Sequence, residues 1–141
     1  MMISRLVPAL MALAISIASC AQPAADAPSG SQVVAELGDY KITVSVPSVK
    51  AGTIKIGVRN LGNMEHSFQV LKTDLPPDKL PVDGASAKAK EDGKVGEIAS
   101  IAAGKSAAVT LDLTPGKYVL ICNIAGHYQL GMHAAFTVEA P

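Results

Sequence analysis

Apolar and polar residues alternate with a period of two along much of the chain. Ile42, Val44 and Val46 are interleaved with Lys41, Thr43 and Ser45, and Ile54, Ile56 and Val58 with Lys55, Gly57 and Arg59. Successive side chains of an extended strand point to opposite faces, so this pattern predicts strands with one buried and one wet face. The alternation recurs at Phe68 and Val70, at Val109, Leu111 and Leu113, and at Phe136 and Val138. Turn signals stand at Gly38-Asp39, Ala51-Gly52, Ala103-Gly104 and Pro115-Gly116. Tyr118-Val119-Leu120-Ile121 is apolar on both faces, as in a central strand covered on each side. The pattern predicts an all-β chain folded as a β-sandwich.

The period is lost over 73–94. Pro76, Pro77 and Pro81 forbid a central strand there, while Ala85 to Asp92 is rich in Ala, Lys and Glu. A long structureless loop is uncommon in a compact domain, so a short helix of a turn or two over the sandwich is expected in this excursion.

The length, 141 residues with 49% hydrophobic composition, suits one domain with a sizeable core. The N-terminal region differs from the rest. After Arg5, the run Leu6 to Ala18 is apolar apart from Ser16. That is shorter than the roughly 20 residues that span a bilayer as a helix, and it lies where an export signal lies. Ile17-Ala18-Ser19-Cys20 resembles the lipobox of bacterial lipoproteins, which implies a signal peptide over 1–19 and lipidation of Cys20. Cleavage after Ala21, with Ser19 and Ala21 as the small residues, is the rival and would leave a soluble periplasmic protein.

Residues 20–32 are rich in Ala, Pro, Gly and Ser, with no bulky apolar side chain after Cys20, and read as a flexible tether to a domain over 33–141. Basic and acidic residues number 12 each, and removal of 1–19 takes away only Arg5. No basic surplus points to nucleic acid. The expected location is outside the cytoplasm, in the periplasm or on the outer face of a membrane, held there by the lipid on Cys20.

Of the 2 cysteines only Cys122 lies in the domain, so no internal disulfide staples it. A lone thiol of this kind is an inert small hydrophobe, a reactive nucleophile or a metal ligand. Its neighbours bear on the choice. His66 shares parity with Phe68 and Val70 and so points inward at the start of its strand. Cys122 shares parity with Tyr118 and Leu120 at a strand end, and the loop that follows carries His127 and Met132. The four can converge at one pole. Two imidazoles and a thiolate with a weak axial thioether suit copper in both oxidation states.

Two motifs resemble the cupredoxins, the family of plastocyanin and azurin, over about residues 33–140. Asn60-Leu61-Gly62-Asn63-Met64-Glu65-His66-Ser67-Phe68 is similar to the family's N-x-G-x-x-x-H-x-F segment. Pro115-Gly116-Lys117-Tyr118, running on to Cys122, His127 and Met132, resembles the family's P-G-x-Y approach to its ligand loop, and the spacing looks most like that of auracyanin-type members. The resemblance implies a Greek-key sandwich, with His66, Cys122 and His127 as equatorial copper ligands and Met132 as the axial one. It also implies redox protein partners, such as a c-type cytochrome or an oxidase or reductase complex, docking near His127. Ala125, Gly126, Tyr128 and Leu130 would surround that surface.

Glu65, Ser67 and Asn123 depart from the residues common in the family at those places. A hydrogen bond between the two ligand loops is expected to persist here with donor and acceptor roles exchanged between strands.

Each residue also has a plain reading. A single inward His is more often a hydrogen-bonded structural residue, a buried Cys is usually inert, and Met132 alone would be core filler. Tyr118 reads as a tyrosine corner rather than a redox residue. His133 is expected to face solvent or begin the last strand, outside the ligand set. Taken together and in order, the four point to a type 1 site that shuttles single electrons. A copper chaperone or buffer is the alternative, but outside the signal only Met64 and Met132 remain of the methionines. With only 3 histidines, a multicopper enzyme is excluded, and a single Cys in the loop excludes a binuclear centre.

Overall fold

The computed structural model describes residues 25–141. The signal segment and Cys20 lie outside the described residues. The strands are β1 (Val33–Gly38), β2 (Lys41–Val44), β3 (Ser48–Lys50), β4 (Gly52–Asn60), β5 (His66–Lys72), β6 (Val82–Asp83), β7 (Lys88–Ala89), β8 (Lys94–Ile101), β9 (Ser106–Leu113), β10 (Gly116–Ile121) and β11 (His133–Glu139). One sheet has the order β2-β1-β4-β9, the other β3-β11-β10-β5-β8, and β6 and β7 form a small hairpin. The pairs β1–β4 and β3–β11 are parallel and the rest antiparallel.

The core lies between the two sheets. Val33, Ala35 and Leu37 of β1 alternate inward with Ile54, Ile56 and Val58 of β4, and meet Phe68, Val70, Leu120 and Phe136 of the facing sheet. Full burial of a side chain such as Phe68 or Phe136 contributes about 1.5–3 kcal/mol, so this interdigitation dominates the stability. After Val44 the chain passes through Ser45, Val46 and Pro47 to the other sheet, where the Pro47 carbonyl accepts the N–H of Thr137 at 3.0 Å. Pro47 has no N–H to offer a ladder, which suits a residue placed between two sheets.

Tyr118 lies within β10, the central strand of its sheet, and its hydroxyl donates back to the Thr114 carbonyl at 2.7 Å. That is the local tie expected of a tyrosine corner.

The helix expected in the 73–94 excursion is not there; the described residues hold no helix. Asp83 Oδ1 takes the N–H groups of Ala85 and Ser86 at 2.8 and 3.2 Å, and Ala87 is left-handed at φ 53°. Together they close a turn between β6 and β7. A helix confined to so few residues pays nucleation for very few bonds, and a side chain that caps the turn offers the backbone an alternative. The excursion covers the outer face of the five-stranded sheet. Leu80 and Ala89 pack on Leu71, Val119, Ile121 and Tyr128, which explains why Tyr118–Ile121 is apolar on both faces.

Residues 25–32, part of the expected tether, run along β4. Arg59 Nε donates to the Ala25 carbonyl at 2.9 Å, and Gln32 N–H to the Lys55 carbonyl at 2.9 Å.

Candidate metal centre

Two segments meet at one end of the sandwich. The first is the connection from β4 to β5, held by Asn60. Its fully buried amide donates to the carbonyls of Met64 and Ile101, both at 2.8 Å, while its Oδ1 accepts Gly62 N–H at 2.9 Å. His66 then opens β5. The pairing of β5 with β8 shifts register between His66 and Phe68, where two steps on β5 face three on β8 (Ile101 to Ile98). The extra residue lies on β8, so β5 keeps its alternation and His66 stays on the inward face.

The second segment runs from Cys122 to Met132. Its base is closed by Cys122 N–H donating to the Met132 carbonyl, and Met132 N–H to the His127 carbonyl, both at 3.1 Å. Tight turns at His127, Leu130 and Gly131 fold the loop back on itself. Gly131, at φ 116°, comes so near the β1–β2 turn that a Cβ would stand 2.9 Å from the Tyr40 carbonyl oxygen.

This folding brings three donor atoms into a triangle. His66 Nδ1 and His127 Nδ1 are 3.2 Å apart, Cys122 Sγ is 3.5 Å from His127 Nδ1, and Sγ is 3.8 Å from His66 Nδ1. His66 and Cys122 are fully buried, and His127 is partly exposed. Metal bonds of about 2.0–2.1 Å to imidazole and about 2.3 Å to thiolate, spread in one plane, separate such donors by roughly 3.5–3.8 Å. The triangle fits one ion. Met132, fully buried, belongs to the same core cluster as Cys122. Two imidazoles, a thiolate and a nearby thioether form the donor set of a type 1 copper site rather than of zinc, which takes no methionine.

Burial pushes the His66 pKa down, as does the neighbouring His127, against the opposing pull of Asp39. The neutral ring is the form that ligates a metal.

Around the sulfur, Ser67 N–H donates to Cys122 Sγ at 3.3 Å, the Ser67 hydroxyl lies 3.6 Å from it, and Asn123 N–H donates to Ser67 Oγ at 3.0 Å. Ser67 supplies the side chain in this tie between loops and Asn123 the backbone donor. The Asn123 amide instead turns outward. It pairs with Ala89 as a strand neighbour would, accepting its N–H at 2.8 Å and donating to its carbonyl at 2.9 Å, and also donates to Glu91 Oε1 at 2.9 Å. The site is thereby fastened to the excursion.

Tyr128 does not border an exposed surface beside His127, as the resemblance implied. It is buried, donates its hydroxyl to the Pro77 carbonyl at 2.8 Å and accepts Leu80 N–H at 2.8 Å, so it anchors the excursion. Its hydroxyl finds two partners under the Pro-rich segment, which an exposed position would not provide. Ala125 is exposed in the ligand loop, and the large exposed apolar residues at this pole are Tyr40, Leu61, Met64 and Leu130. His133 opens β11 and lies against the Tyr128 ring, centroids 5.4 Å apart.

Sequence reasoning missed Asp39, Tyr40 and the role of Asn60. Asn60 carries a readable signal, a polar residue in an inward slot at a strand end. Asp39 and Tyr40 read only as a turn.

The family model for copper-binding proteins of the plastocyanin/azurin family matches residues 32–139. Among solved structures, the chain is similar to dithionite-reduced auracyanin from the photosynthetic bacterium Roseiflexus castenholzii. The identity is 22%, coverage is 74% of this chain and 94% of that one, and the TM-score is 0.55. Auracyanin B aligns at 20% identity over 74% and 86%, with a TM-score of 0.56. Rusticyanin from Thiobacillus ferrooxidans aligns at 22% identity over 76% and 75%, with a TM-score of 0.58. No curated protein sequence matches the chain significantly.

Proposed function

We propose that this chain, which belongs to the plastocyanin/azurin family of copper-binding proteins, carries single electrons between redox proteins outside the cytoplasm. The observation that supports this most is the triangle of His66 Nδ1, His127 Nδ1 and Cys122 Sγ with edges of 3.2–3.8 Å, already assembled by the fold. Copper bound there supplies a one-electron couple between Cu(II) and Cu(I). The protein's part is to hold the donors still. His66 and Cys122 are fixed by a buried strand start and strand end, Ser67 restrains the sulfur, and Met132, buried in the same core cluster as Cys122, would supply the weak thioether donor. Donors that need little rearrangement between oxidation states make transfer fast.

His127 is the partly exposed ligand, and its edge is the route for electrons to and from a partner. Tyr40, Leu61, Met64 and Leu130 give that pole an apolar rim suited to brief docking of a redox protein such as a c-type cytochrome or an oxidase or reductase complex. The N-terminal signal and the lipobox-like Cys20 favour attachment to the outer face of a membrane through a lipid, with the domain reaching out on residues that follow. A catalytic role is not part of this reading.

A chaperone that hands copper on is the second reading. It is disfavoured because the ligands His66, Cys122 and Met132 are fully buried, whereas delivery requires ligands that exchange. Voltammetry of the copper-loaded protein separates the two. A carrier gives a reversible one-electron wave and keeps its metal through repeated cycles. Loss of Cu(I) to an apo acceptor protein, with no stable wave, would refute the carrier reading.

A further inference from the structure

The turn between β1 and β2 carries two features that copper ligation leaves unexplained. His66 Nε2, on the far side of the ring from the donor triangle, is buried with no hydrogen bond formed, yet Asp39 Oδ1 stands 3.4 Å from it. The next residue, Tyr40, is a non-glycine at φ 65°. Such a conformation persists in a bulky residue only where the surroundings hold it. It turns the chain back after Asp39 and sets the Tyr40 ring edge-on to His127, centroids 5.9 Å apart. Two consecutive residues of one tight turn therefore face the two histidines of the site.

Several groups hold the Asp39 carboxylate in place. Asn63 N–H approaches its two oxygens at 3.0 and 3.2 Å, and the Asn63 amide donates to Oδ2 at 3.2 Å. A Cβ on Gly62 would collide with Asp39 Oδ1 and stand 3.0 Å from His66 Nε2, so the missing side chain keeps the line between carboxylate and ring open. Among the described residues no Lys or Arg pairs with Asp39; its ionic contact is the histidine. Desolvation would raise its pKa, but the hydrogens from Asn63 and the nearby His66 outweigh that and hold it below the ordinary carboxylate value.

Resting on the copper reading above, we propose that Asp39 is the positioning residue of His66: it accepts the Nε2–H, fixes the tautomer that leaves Nδ1 for the metal, and biases the site toward Cu(II). A ligand imidazole whose second nitrogen donates to a carboxylate is held in orientation and becomes a more basic donor. The more basic donor favours the higher oxidation state. The Tyr40 conformation is the backbone device that delivers the carboxylate.

The test compares wild type with Asp39→Asn and Asp39→Ala in affinity for Cu(II) and Cu(I), in reduction potential, and in solvent exchange of the His66 Nε2–H by NMR on the Cu(I) protein. Loss of such an outer partner typically lowers metal affinity 10–100-fold. We expect that loss to fall mainly on Cu(II), raising the potential by about 59 mV for each tenfold difference between the oxidation states. The Nε2–H should exchange faster in Asp39→Ala. Gly62→Ala leaves the Asp39 charge in place but pushes it from the ring, and must shift the potential in the same direction; it decides the matter if the Asp39 variants fail to fold. Folded variants with wild-type potential and Nε2–H exchange would overturn the proposal while leaving a blue wild-type protein intact. A wild type that forms no thiolate–copper band would instead overturn the reading beneath it.

Discussion

Ser67 and Cys122 meet at the base of the site, where the Ser67 N–H points at the sulfur at 3.3 Å and its hydroxyl lies 3.6 Å away. The same hydroxyl accepts Asn123 N–H at 3.0 Å, so one side chain restrains the thiolate and ties the two ligand loops. Hydrogen bonds to a copper thiolate withdraw charge from it and favour the reduced metal. Ser67→Ala keeps the backbone donor but removes the hydroxyl and leaves the buried Asn123 N–H without its acceptor. We expect a lower reduction potential and a stability loss of about 1–3 kcal/mol. Voltammetry and denaturant unfolding of the same variant check both.

Met132 is enclosed in the core beside Cys122. Met132→Leu conserves volume and costs less than about 1.5 kcal/mol in packing. Removing the weak thioether donor destabilises Cu(II) more than Cu(I), so the protein should still bind copper and show a raised potential. An unchanged potential would show that the thioether does not act on the metal.

Tyr128 joins the excursion to the sheet through Pro77 and Leu80. In Tyr128→Phe the buried Leu80 N–H loses its partner, at a cost of about 1–3 kcal/mol. Hydrogen exchange should quicken at Leu80, while the copper potential stays near wild type because the ring still fills its place.

Glu91 reports on pH. The Lys94 ammonium beside it, and then the amides of Asn123 and Gln69, outweigh its partial desolvation and hold its pKa down at about 2, against an ordinary 4.5. A carboxylate whose pKa is depressed by folding stabilises the fold fully above its unfolded value. That contribution shrinks as pH falls below about 4.5 and is gone near 2. Glu91 is exposed, so solvent screening limits it to about 1 kcal/mol. Unfolding of the apo protein from pH 6 to 2.5 should show this loss, and Glu91→Gln should show less of it.

The four ligand candidates were legible because β5 and β10 keep their alternation into the site: His66 and Cys122 inherit the inward parity of Phe68 and Leu120. The strands β1 and β8 were harder to see. In β1 the apolar Val34 occupies an outward slot and blurs the contrast with Val33 and Ala35, and in β8 two register shifts break the period. The Ala- and Lys-rich stretch after Pro81 has helical composition, but its conformation is decided by Asp83, by the hydroxyl of Tyr128 and by the Asn123 amide paired to Ala89. Asp39 was invisible as a site residue for the same reason: a turn aspartate reads as local chemistry, and only the approach of His66 from across the fold gives it another role.

His66, Cys122, His127 and Met132 make up a type 1 site for one copper ion. The decisive measurement is a titration of the purified apo domain with Cu(II). An intense visible thiolate-to-copper charge-transfer band should saturate at one equivalent, bleach on reduction, return on oxidation and be absent in Cys122→Ser. A protein that stays colourless with copper, or that takes up only zinc, would contradict it.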